Sequence, residues 1–161
     1  MRLYLPFWQD MEYFPLAVRP QEREDPFSFT DTWMEERNYG GKRKHEGCDI
    51  FGKAMLSGYY PVISITDGTV EKVGWLPLGG WRIGIRSPKG GYFYYAHLNG
   101  YGREFLEGEA VKAGELLGFL GDSGYGEEGT CGKFAPHLHM GLYTRYGQDE
   151  EYALNPYPVL V

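Results

Sequence analysis

From Pro61 onward, short runs of alternating apolar and polar residues are separated by turn signals. "PVISIT" (61–66) stops at Asp67-Gly68, and "TVEKVGW" (69–75) follows. An Asp-Gly between two alternating runs is a strong local hairpin cue, so these two runs are predicted to pair. "WRIGIRS" (81–87) stops at "PKGG", and "YFYYAHL" (92–98) follows as a second predicted hairpin. "EAV" (109–111) and "ELLGFLG" (115–121) straddle Lys112-Ala113-Gly114, and the Gly-rich loop "DSGYGEEGTCGKFAP" (122–136) leads into "HLHMGLY" (137–143). A period near two with frequent breaks predicts a mainly β domain of antiparallel sheets with little helix. Residues 1–27 are rich in proline, aromatics and charge, without periodicity. They read as an N-terminal extension that packs on or wraps a domain spanning 28–161.

Composition agrees. At 161 residues the chain is one domain's length, and 24 glycines with ten prolines favour turns over long helices. Fourteen tyrosines, nine phenylalanines and four tryptophans suit strands. Lys plus Arg is 16 against 22 Asp plus Glu, a net charge of −6. That excludes the basic footprint of a nucleic-acid binder and offers no general pull toward an anionic surface. No apolar run approaches the ~18 residues of a membrane helix. "MRLYLPFWQDMEYF" is broken by Pro6 and ended by Asp10, so no signal peptide is read there. The two cysteines, Cys48 and Cys131, form no C-x-x-C and cannot make a disulfide framework; buried free thiols are expected rather than a single bridge.

The four histidines are His45, His97, His137 and His139. His45 opens "HEGCDIFG", with Asp49 four residues on, a spacing that lets the two converge on a helix or a strand. In "HLHMGLY" a spacing of two puts His137 and His139 on one side of a strand, with Leu138 and Met140 facing a core. Two imidazoles and a carboxylate suit a catalytic zinc with one position left for water. His45, Asp49 and one member of the H-x-H pair fill that set; spacing alone does not say which member. The remaining two histidines are then placed for acid–base or oxyanion work.

"GGKRKHEGCDI", "DGTV", "YYAHL", "VKAGELLGFLG" and "APHLHMGLY" occur in the order seen in lysostaphin-type, or LytM-like, zinc endopeptidases, and "LNP" at 154–156 fits as well. The chain resembles that family over roughly residues 28 to 158. The resemblance implies an open, sandwich-like fold with a groove and one Zn²⁺ per chain. It implies cleavage of peptide cross-links or stem peptides of bacterial peptidoglycan, hence an extracytoplasmic, wall or secreted location, by a chain expected to be a monomer. It makes His45, Asp49 and His139 the zinc ligands. His137 and His97 become the pair that hold and deprotonate the attacking water and stabilise the tetrahedral intermediate. Tyr39 sits six residues before His45, where some members place a tyrosine facing the metal, and its phenol would donate to the oxyanion. The loops "NGYGREFLEG" (99–108) and "DSGYGEEGTCGKF" (122–134) would wall the groove. Cys48 departs from the usual aliphatic or Thr; on a strand it would point away from Asp49 and be buried. The acids Asp10, Glu12, Glu22, Glu24 and Asp25 of the extension would be able to lie in the groove and cap the zinc.

Two rival readings differ in class. "GDSG" (121–124) matches the nucleophile tetrad of chymotrypsin-like serine proteases, but the chain is too short for their double barrel, and any D-S-G is an ordinary turn. A non-catalytic groove module that binds or activates a partner wall hydrolase is the other; all five metal and catalytic positions being filled argues against it.

Overall fold

The computed structural model describes residues 2–22, 24–38, 41–146 and 150–161. A 3₁₀ turn (Arg2–Tyr4) runs into α1 (Leu5–Asp10). The strands are β1 (Phe27–Ser28), β2 (Glu36–Arg37), β3 (Arg43–Lys44), β4 (Cys48–Gly52), β5 (Pro61–Ile63) and β6 (Gly68–Leu76). They continue with β7 (Gly80–Arg86), β8 (Tyr92–Tyr101), β9 (Ala110–Val111), β10 (Leu116–Leu120), β11 (Leu138–Tyr146) and β12 (Glu150–Leu154), before α2 (Tyr157–Leu160). The main sheet has ten strands in the path β1-β4-β11-β8-β7-β6-β9, with β12 beside β11 and β10 joining β8 to β5; β2 and β3 form a separate ribbon. Every pairing is antiparallel, as the alternating pattern predicts.

The alternation also sorts residues between faces. On β11, Leu138, Met140 and Leu142 are buried in the core with Ile50, Ile83, Ile85, Phe93, Tyr95 and Leu98. Each such side chain contributes about 1.5–3 kcal/mol by leaving water. The N-terminal segment lies on this core side. The fully buried Phe7 ring meets the Phe93 ring edge-on at 5.3 Å, Leu16 bridges to Val62, and Phe27 packs on Tyr60 at 4.9 Å.

The predicted 81–98 hairpin is present as β7–β8, with Ile83 opposite Tyr95 and Ile85 opposite Phe93. The hairpin predicted at Asp67-Gly68 is not: β5 pairs with β10, and β6 pairs with β7 and β9. Gly68 lacks the positive φ that a tight two-residue hairpin demands. It is a glycine because β7 runs against it; a Cβ there would lie 2.4 Å from the Arg86 carbonyl oxygen. Asp67 instead accepts a hydrogen bond from the Ala113 amide at 2.8 Å, so the segment splits toward two different neighbours. The turn that does close a hairpin with β6 is Pro77–Gly79, leading into Gly80 at φ +67°.

Candidate metal centre and groove

The face of β4, β11, β8, β7 and β6 opposite the core is the floor of an open groove of about 690 Å³. One wall is the loop after β10, through Tyr125 and Phe134; the β6–β7 turn contributes Leu78 and Gly79, and the β2–β3 ribbon contributes Arg37 and Arg43. The 122–134 loop is thus a wall as expected, but no residue of 99–108 lines the groove. That loop is turned instead to the sheet's other end, where Phe105 is buried in the core. None of the acids of the N-terminal extension lines the groove either. Asp10 accepts from the Lys89 amide at 2.7 Å and Glu22 from the Tyr60 hydroxyl at 2.9 Å, both away from it, so the expected capping is not what this structure contains.

At one end of the floor three side chains converge. His45 Nε2 is 3.0 Å from Asp49 Oδ1 and 3.1 Å from His139 Nδ1, and the last two atoms are 3.1 Å apart. β-Pairing sets this up: His139 sits directly opposite Asp49 on β4, and His45 lies just before that strand. Two ring nitrogens and a carboxylate oxygen in a near-equilateral triangle repel unless a cation or proton lies among them. The triangle is close to a face of a tetrahedral zinc site, whose neighbouring ligand atoms are roughly 3.3 Å apart for bonds of about 2.0–2.1 Å. These three residues could hold a metal ion.

Surrounding groups fix the rings. His45 Nδ1–H donates to the Thr32 carbonyl oxygen at 3.1 Å, with Thr32 Oγ1 at 3.0 Å, which leaves Nε2 as the lone-pair nitrogen. Gly47 makes room for His139; a Cβ there would lie 2.5 Å from its Cε1. Tyr94 packs edge-on against the same ring at 6.0 Å. Arg37 Nη2 stands 3.5 Å from Asp49 Oδ2, the oxygen turned away from the triangle. Burial would raise the Asp49 pKa, but the close His139 and His45 ring nitrogens and the neighbouring His137 outweigh it and hold the carboxyl well below the usual range.

The other two histidines are held differently. His97 Nδ1–H donates to the Ser123 carbonyl at 2.7 Å, and His137 Nδ1–H to the Ala135 carbonyl at 2.8 Å. A carbonyl can only accept, so each ring carries its proton on Nδ1 and a free lone pair on Nε2. Their rings are 4.8 Å apart, and His137 Nε2 is 3.7 Å from Asp49 Oδ1. Desolvation, aided by His137 and His139, pushes the His97 pKa down to about 3; desolvation likewise lowers His137. His97 takes φ +64°, a left-handed conformation uncommon for a side-chain-bearing residue, while its amide donates to the Gly79 carbonyl at 2.7 Å.

Of the residues singled out from sequence, His45, Asp49, His97, His137 and His139 therefore surround one end of the groove. Tyr39 lies outside the described residues. Cys48 is buried facing away from Asp49, its thiol pushed up to about 12 by burial and then by the Asp49 charge. Both cysteines are free, yet Cys131 is exposed rather than buried, because its loop lies at the surface. Ser123 of "GDSG" is a buried tie: its hydroxyl donates to the Leu98 carbonyl at 2.5 Å and accepts from the Trp81 amide at 3.1 Å. Sequence reasoning missed Thr32, Arg37 and Tyr94; nothing in their local patterns marks them, since each reaches the centre only through non-local pairing.

A mainly β fold with a histidine–aspartate–histidine cluster on an open groove defines a narrow class. Residues 43–156 match peptidase family M23, and the chain belongs to that family. It is 46% identical over 147 residues to an L-Ala–D-Glu endopeptidase of Bacillus subtilis, covering 91% of this chain and 42% of that one. It is 34% identical to lysostaphin of Staphylococcus simulans over 132 residues, 77% of this chain and 24% of that one. The chain thus spans less than half the length of these relatives. Among solved structures, a LytM-type protein of Ruminococcus gnavus superposes with TM-score 0.86 at 57% identity, covering 96% of this chain and 61% of that one. The catalytic domain of lysostaphin superposes with TM-score 0.63 at 29% identity, covering 83% and 92%. Among the described residues, no helix is long and apolar enough to cross a membrane.

Proposed function

We propose that this chain is a zinc-dependent endopeptidase that hydrolyses amide bonds in the peptide part of bacterial peptidoglycan, on the outer side of the membrane. The observation that carries this reading is the meeting of His45 Nε2, Asp49 Oδ1 and His139 Nδ1 within 3.0–3.1 Å on an open groove, beside two imidazoles with unprotonated Nε2 atoms. The donor set fits zinc in type and spacing, and His45 has the backbone carbonyl partner common behind a ligating histidine. When bound there, zinc supplies Lewis-acid polarisation of a substrate carbonyl and acidifies water.

The chain's own groups do the rest. His97 and His137, kept neutral by burial, each offer an Nε2 lone pair to accept a proton from the attacking water. The imidazolium so formed donates to the developing oxyanion or to the departing amine. The carbonyls of Ser123 and Ala135 hold both rings in the required tautomer and stabilise the charge that forms. Arg37 takes the outward oxygen of Asp49, which leaves Oδ1 for the centre. The open groove admits an extended peptide across the sheet face, and the relatives' names cover both L-Ala–D-Glu and glycyl-glycine links.

Metal analysis of the purified chain, followed by digestion of peptidoglycans of several cross-link types and mass spectrometry of the fragments, tests the reading. One zinc per chain, with chelator-sensitive release of peptide fragments, is expected. A metal-loaded chain that releases no fragment from any wall would overturn it.

A further inference from the structure

The groove contains a cation that the catalytic arrangement does not use. Arg82 lines it, and its Nη1 is buried without a hydrogen-bond partner. Buried polar groups are nearly always paired, and a guanidinium with an idle N–H group inside a site is costly unless something arrives to meet it. The neighbouring acids are engaged elsewhere. Glu71 and Glu151 both bind Arg86, and both also face Arg145 at 3.6 and 3.5 Å. Asp49 is held by Arg37 and the histidines. Lys72, opposite Gly84 one strand further on, is an exposed second cation on the same groove. This end is thus positive within a chain of net charge −6.

Its place relative to the centre follows from the strand register. Asp49, His139 and Ala96 are direct cross-strand neighbours on β4, β11 and β8. On β7 the pairing with β8 is irregular between Trp81 and Ile83, so Arg82 lies at the end of that row, and it pairs with Gly74 on the far side. Two inter-strand spacings, roughly 10 Å, separate the strand of Arg82 from that of His139. On β8, between them, the groove face carries Ala96 and Tyr94, the latter packed against the His139 ring. A peptide whose scissile amide lies at the histidine–aspartate cluster would bring the side group of an adjoining residue over Arg82.

A guanidinium recognises a carboxylate best, through paired N–H···O bonds. We infer that Arg82, with Lys72 behind it, selects substrates in which an acidic residue adjoins the cleaved bond, by binding that residue's free carboxylate. An acidic residue has two carboxyl groups, and whichever one continues the chain, the other remains charged. This inference rests on the peptidase reading above and sharpens it to one class of link; a glycyl-glycine link has no such group.

The test compares two matched peptides with the zinc-loaded protein: one containing Ala–D-Glu, the other identical but with the free carboxylate as its primary amide. The wild type is expected to favour the acid by about 30- to 100-fold in kcat/KM. Arg82→Gln should lose that preference mainly through KM, keep the rate on the amide peptide, and unfold no more readily than the wild type. Arg82→Lys should recover part of the preference. Equal kcat/KM for acid and amide in the wild type, or an undiminished preference in Arg82→Gln, would overturn the inference. If the wild type cleaves neither peptide, the peptidase reading fails on its own, and NMR titration of both peptides into the chain decides the matter. Acid-selective binding lost in Arg82→Gln upholds the role of Arg82, and indifferent binding rejects it.

Discussion

β8 and β11 run side by side and present opposite characters on their two faces. Toward the core they carry Phe93, Tyr95, Leu138, Met140 and Leu142, all essentially without solvent contact. Toward the groove they carry Tyr94, Ala96, His139 and Tyr143. The same backbone hydrogen bonds serve both. The core face gives the strands a fixed register, and that register alone sets His139 opposite Asp49 and Ala96. A one-residue slip would turn His139 inward and Leu138 outward, so packing on one side specifies chemistry on the other.

Substitutions on the two faces should therefore separate cleanly. His139→Ala is expected to abolish zinc binding and to cost on the order of 10⁴-fold in activity while the fold persists, read by metal analysis, kinetics and circular dichroism. His97→Ala sharpens the contrast within the groove: zinc stays at one equivalent and kcat falls about 10²- to 10⁴-fold. A His97→Ala variant as active as the wild type would remove it from the mechanism. On the core face, Leu138→Ala should cost about 2–5 kcal/mol in denaturant unfolding, with the folded fraction retaining both metal and turnover. Gly47→Ala acts between the faces. Its new Cβ meets the His139 ring at 2.5 Å and the Met140 carbonyl at 2.6 Å, and zinc affinity should weaken roughly 10- to 100-fold.

The smallest expected effect is a pH slope. Burial raises the pKa of Tyr95, whose oxygen accepts from the Ile65 amide at 3.0 Å. Below about pH 10 both folded and unfolded forms keep the phenol protonated, so its contribution is intact. Above that, the unfolded tyrosine ionises while the folded one does not, and stability declines by up to about 1.4 kcal/mol per pH unit. Tyr92, Tyr94 and Tyr143 are raised for the same reason and add to the decline. Tyr95→Phe should flatten the alkaline limb of a stability–pH curve by at most one proton's slope.

The sequence is most legible where chemistry and local period coincide. H-x-x-x-D, H-x-H and His97 in "YYAHL" mark the cluster because few residues can do that work, and the even spacing within the first two motifs lets their side chains share a face. The β7–β8 hairpin is legible because its two runs are joined by a short turn. Asp67-Gly68 misleads because the partner of β5 is β10, more than fifty residues away in the chain, and a turn motif carries no information about distant partners. The 99–108 loop misleads similarly: its composition suits a groove wall, but Phe105 anchors it into the core. Arg37, Arg82 and Tyr94 look like ordinary strand residues until the sheet is assembled around them.

Ser123 ties three parts of the molecule at one point: its hydroxyl joins Trp81 to Leu98, and its carbonyl holds the Nδ1 proton of His97. The long loop that begins there consequently fixes the ring of His97 rather than lying above it as a lid. Prising this loop outward would let the imidazole carry its proton on either nitrogen.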